Sequence, residues 1–253
     1  MKKHNRLTLV IMAIAGFIQS GIAADTNVFL NGLGDNDWNN ADNWQYQRVA
    51  LPPDIASLGR SAAVVLTTSN LTGAVRLGCI GFSSLIIDGG SLTALNPADW
   101  NSVGYNDPAS LTIQNGGSLT TASILLVGRK NSRGGTVVIR QGSLRVKEYA
   151  HNKYYQGTEI INTRTTIYPE GVLEADLMDL NAGVLDIAGG TVIIRQSNPE
   201  NLDKWIKEGR IVAMGGLDGW VVNVAIDEET GWVTLTAKQE EVLLGMLSTH
   251  RMI

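Results

Sequence analysis

One phrase returns five times along the middle of the chain: aliphatic residues alternating with polar ones, a tight turn ending in glycine, then a second alternating stretch. The copies are Leu85–Ala94 (LIIDGGSLTA), Leu111–Ala122 (LTIQNGGSLTTA), Val137–Val146 (VVIRQGSLRV), Thr166–Ala175 (TIYPEGVLEA) and Val184–Arg195 (VLDIAGGTVIIR). Alternation with period two predicts strands, so each copy reads as strand, turn, strand. The turns align on Gly90, Gly117, Gly142, Gly171 and Gly190, at intervals of 27, 25, 29 and 19 residues. That is the length of one solenoid coil. A second phrase, Ser102-Val103-Gly104 and Leu126-Val127-Gly128, recurs 24 residues apart and supports the same coil.

The alternation also assigns faces. Ile87, Ile113, Ile139, Ile167 and Ile187 stand before the turns, and Leu92, Leu119, Leu144, Leu173 and Val192 stand two residues after the glycines. In parallel coils about 4.8 Å apart these positions stack into internal aliphatic columns. The turn column (Asp88, Asn115, Gln141, Glu170, Ala188) and the next outward column (Thr93, Thr120, Arg145, Glu174, Ile193) face water for the most part. The glycines recur because a sharp turn between strands needs either φ > 0 or a missing side chain. The expected fold is all-β, a short right-handed parallel β-helix.

A solenoid needs covered ends. At the C-terminal side Asn198 is a good N-cap, Pro199 suits the first helical position, and Leu202, Trp205 and Ile206 form an apolar stripe that stops at Gly209. This predicts one short helix over the last coil. Strands follow over Arg210 to Met214, Trp220 to Ile226 and Trp232 to Ala237, the last two as a hairpin. The expected organisation is a signal peptide over 1–24, an N-terminal β cap and first strands over 25–72, coils over 73–195, a C-terminal cap over 196–237 and a frayed tail over 238–253.

The portion before the coils carries Trp38, Asn43-Trp44 and Pro53-Asp54. Together with the Leu/Ile-x-Ile and Gly-Gly-Ser-Leu coils, it resembles secreted bacterial right-handed parallel β-helix proteins of the autotransporter-passenger or planctomycete type. The resemblance runs from about residue 30 to 237 and implies a fold more than an activity. Nothing after residue 237 has the alternating strands of an outer-membrane barrel, a departure from true autotransporters.

Composition narrows the setting. Lys2, Lys3 and Arg6 precede an apolar run from Leu7 to Ile18 and small residues up to Ala24, the pattern of a secretory signal. That run is too short to span a bilayer, and no later stretch approaches the roughly 20 apolar residues required. Export is therefore expected, to the extracellular space, the cell surface or the periplasm, with no transmembrane segment once the signal is removed. Without its three basic residues the net charge falls from −4 to −7, which disfavours nucleic acid and anionic lipid as partners. Cys79 is the single cysteine, so no intrachain disulfide forms, and its apolar flanks predict a buried thiol.

Candidate chemistry is sparse. Of three histidines only His151 lies inside the expected fold, which excludes a multi-histidine metal site, and no Gly-x-Ser-x-Gly elbow presents a nucleophile. Outward threonines give way to Arg145 and Glu174, so no flat threonine array persists. The stretch Lys147 to Thr158 interrupts the repeat and reads as a loop bearing His151, Lys153, Tyr154 and Tyr155. With Trp100, which stands beside Asn96-Pro97-Ala98-Asp99, these are the candidate ligand-binding residues, since aromatic rings and polar groups together suit sugars. Tyrosines lying against the coil wall are the plainer alternative. Asp35, Asp37 and Asp42 could offer oxygens to Ca²⁺, although Asx-rich turns commonly cap their own backbone. No cofactor is otherwise expected. The expected function is a non-catalytic structural or adhesive module whose partner is itself or a surface polysaccharide. The alternative is a carbohydrate-active β-helix, either a binder or a lyase.

Overall fold

The computed structural model describes residues 24–60, 62–129, 134–154 and 162–240. The chain is a parallel β-solenoid of about seven turns. A seven-stranded sheet receives one strand from each turn, and a twelve-stranded sheet completes the wall.

The internal columns stand where the alternation puts them. In the smaller sheet Leu66, Ile87, Ile113, Ile139, Ile167, Ile187 and Ala213 pair in register, one per turn. In the larger sheet Leu92, Leu119, Leu144, Leu173 and Val192 do the same. Every member of both columns is buried. Each buried Leu or Ile contributes about 1.5–3 kcal/mol relative to exposure, and vertical stacking joins these contributions into one continuous core.

The turns divide the two uses of glycine between neighbouring positions. Gly116 has φ +79°, with open space around it, whereas Gly117 does not have positive φ. A Cβ on Gly117 would lie 2.5 Å from the Ile87 carbonyl oxygen, so the coil below passes too close for any side chain. Two later turns keep the second glycine and fill the first position with Gln141 (φ +51°) and Glu170 (φ +63°).

Each coil has a third face that the five phrases do not reveal. Ser118–Val127 pairs through its first half with Ser91–Ala94 and through its second with Asn101–Val103. Ser143–His151 and Val172–Leu180 continue both halves. On this face Leu77, Val103, Val127, His151 and Leu180 share one internal column.

Both ends are capped. At the N-terminal end Phe29, Trp38 and Trp44 pack edge to face, and the Trp44 indole donates to the Trp38 carbonyl at 2.8 Å. At the other end Pro199–Lys207 forms the helix, with Asn198 accepting from the Glu200 amide and Leu202 and Trp205 buried on the core. The hairpin Trp220–Ile226 and Val233–Gln239 then adds to the larger sheet, antiparallel through Val192–Ile194. Cys79 is half-buried where its flanks predict a buried thiol; desolvation still pushes the thiol up and away from thiolate chemistry.

Candidate functional site

The bend between the second and third faces varies from coil to coil. It spans residues 122–124 in one coil and 95–100 in the coil before. The longer excursion carries Asn96-Pro97-Ala98-Asp99-Trp100 and raises a wall above the third face. Asp99 accepts from the Trp100 amide at 2.8 Å and pairs with Arg76, one coil below. The Arg76 guanidinium lies 3.8 Å from the Trp100 ring centroid, and Tyr105 stacks on Trp100 at 4.9 Å with 24° between planes. Arg129 stands 4.5 Å from both rings. Trp100, half-buried, is thus held in place by cation–π and stacking contacts.

Opposite this wall lies the end of Ser143–His151 and the turn after it. The two sides enclose a cleft of about 310 Å³, lined by Asp99, Trp100, Leu126, Arg129, Lys147, Glu148 and Tyr154 among others. Tyr154 is 52% exposed and Lys147 is exposed, so both are open to a ligand. Lys153 does not line the cleft; its ammonium pairs with Glu148 and lies 3.9 Å from Asp179. Burial lowers the Lys153 pKa, but the hydrogen bond to Glu148 and the two nearby carboxylates outweigh it and hold the ammonium above its ordinary value. Trp100 and Tyr154, far apart in sequence, therefore meet at one site. Tyr155 lies outside the described residues.

His151 requires a correction. The expected loop does not begin at Lys147, because Ser143–His151 is one continuous strand and His151 is wholly buried in the third-face column between Val127 and Leu180. Its Nε2 lies 2.9 Å from the Thr165 hydroxyl, which also meets the buried Tyr149 hydroxyl, while Nδ1 has no partner among the described residues. Burial pushes the imidazole down to about 3 and the Tyr149 phenol up. His151 is a neutral core residue, out of reach of a ligand in the cleft.

The N-terminal aspartates fold into Asx turns. Asp35 accepts from the Asp37 amide at 3.0 Å and from the side chains of Asn40 and Asn43, and the backbone bond does most to lower its pKa. Asp37 caps the Asn39 amide at 2.9 Å, and Asp42 is exposed. Among the described residues no three His, Cys, Asp or Glu side chains come together as a metal site. None of the described helices is long and apolar enough to cross a membrane.

Sequence reasoning missed Arg129 and gave no role to Asp99, Lys147 or Glu148, although it named Asp99 beside Trp100 and began its candidate loop at Lys147. A signal for Arg129 existed: Tyr105, Arg129 and Lys153 each follow a positive-φ turn residue, Gly104, Gly128 and Asn152, at 24-residue spacing. No family model, curated protein or solved structure matches the chain. What the fold defines is a β-solenoid repeat protein.

Proposed function

We propose that the chain is an exported, non-catalytic adhesive module that holds a polysaccharide in the cleft between Trp100 and Tyr154. The observation that carries this reading is the meeting of two aromatic side chains, a lysine and two carboxylates over one face of a rigid coil. Rings complement the apolar faces of sugars and the polar groups address hydroxyls. Loops on a rigid scaffold are where binding usually resides. The cleft thus moves the weight from a purely structural role to the carbohydrate-binding alternative. The chain then acts outside the cytoplasm, in the manner of secreted β-helix proteins of the autotransporter-passenger or planctomycete type. A glycan array with the purified full chain tests the reading: retention of one polysaccharide class supports it, and an array without binding counts against it.

Self-association is the second reading, favoured by the strand Trp220–Ile226. Among the described residues it pairs only with Val233–Gln239; it carries no charge and exposes Val221, Val224 and Ile226. Such an edge is a template for another strand. Sedimentation velocity over a concentration series distinguishes a dimer from a strict monomer.

A further inference from the structure

We propose that the cleft selects carboxylate-bearing polysaccharides, those built with uronic acids, over neutral ones; this rests on the polysaccharide reading above. Both carboxylates that line the cleft already have cationic partners from outside its lining: Asp99 pairs with Arg76 and Glu148 with Lys153. Asp99 is thus compensated by Arg76, and Glu148 is paired with a Lys153 that it shares with Asp179. The Lys147 ammonium, on the exposed side of the same lining, has no carboxylate within ion-pair distance among the described residues. Arg129 is held against the rings of Trp100 and Tyr105. A sugar ring resting against Trp100 or Tyr154 presents its ring substituents to Lys147. A carboxylate there forms a charge-assisted hydrogen bond, stronger than one from a neutral hydroxyl.

The whole chain carries −4, so its long-range field repels an acidic polymer. A preference for acid must then come from the cleft itself. That separates this inference from general charge attraction, which predicts the opposite order of affinity. The selectivity is confined to a contact a few ångströms across and is lost when Lys147 loses its charge.

The experiment compares polygalacturonate with its methyl ester, which keeps the ring and linkage and removes the charge, by titration calorimetry with the full chain. Alginate and hyaluronan against dextran and galactomannan extend the comparison to other linkages. The expected result is at least about tenfold tighter binding of the acidic member of a pair. Lys147→Gln should abolish the difference between acidic and neutral members, with the melting temperature unchanged. Equal binding of acidic and neutral members overturns this inference and leaves the polysaccharide reading intact. Binding of no member overturns both. Selectivity that persists in Lys147→Gln removes the lysine from the role assigned to it.

Discussion

Arg145 and Glu174 stand directly opposite each other on successive coils, with a guanidinium nitrogen 3.4 Å from a carboxylate oxygen. Arg195 reaches the same carboxylate from the coil above and lies 4.4 Å from the Trp232 ring centroid. Arg145 and Glu174 stand in the outward column, and Arg195 joins them from two residues beyond its next member, Ile193. The cluster reports register better than it contributes stability.

Because Arg145 is half-exposed, its pairing with Glu174 should contribute about 0–1 kcal/mol. A double-mutant cycle with Arg145→Ala and Glu174→Ala measures it by urea denaturation. A coupling well above that range contradicts a solvated pair.

Leu144 lies one strand position before Arg145 and is wholly buried between Leu119 and Leu173. Leu144→Ala should lower stability by about 2–5 kcal/mol through transfer and cavity costs. Leu144→Asp places an unpaired carboxylate in the column and should abolish cooperative folding. Parental melting of the aspartate variant would show the register to be wrong.

Gly117→Ala is the test of the turns. The added methyl meets the Ile87 carbonyl oxygen at 2.5 Å, so backbone must shift. The expected loss is about 1–3 kcal/mol, as for overpacking. The same change at Gly116 meets open space but a φ of +79°, and costs about 1–2 kcal/mol for conformation alone. A Gly117→Ala variant as stable as the parent would remove the close approach as the reason for this glycine.

His151 gives the fold an acid limit. Its pKa is about 3 when folded and about 6.5 when unfolded, so the unfolded chain binds the extra proton between those values. The stability of the neutral ring is fully present above pH ~6.5 and declines as pH falls toward the folded value, by up to about 1.4 kcal/mol per unit. Urea midpoints at pH 7 and 5 should differ in the parent and much less in His151→Leu, which restores an aliphatic side chain between Val127 and Leu180. An equal difference in both proteins rules His151 out as the titrating group.

The two faces flanking the glycine turns were legible because aliphatic residues alternate strictly there and the turns repeat. The C-terminal cap was legible for a local reason, since Asn198, Pro199 and Gly209 mark helix ends without tertiary help. The third face was half-hidden. Val103-Gly104 and Val127-Gly128 show it, but its next member is His151-Asn152, with a histidine in the aliphatic column and an asparagine at φ +50° where glycine stood before. Polar side chains thus concealed a core position, and a strand read as a loop. The cleft was legible only as separate aromatics. Its closure depends on the excursion at 95–100 lying two coils below Tyr154, a distance that only the coil register defines.

Tyr154 is 52% exposed and not needed by the core, so it isolates the proposed polysaccharide contact of the cleft from the stability of the fold. The measurement is a calorimetric titration of the array-identified polysaccharide into the parent and Tyr154→Ala, with thermal melts of both. Affinity should fall at least about tenfold, some 1.4 kcal/mol, with melting temperatures within a few degrees of each other. Unchanged affinity would move the site elsewhere. A large fall in melting temperature would show instead that Tyr154 packs against the coil wall.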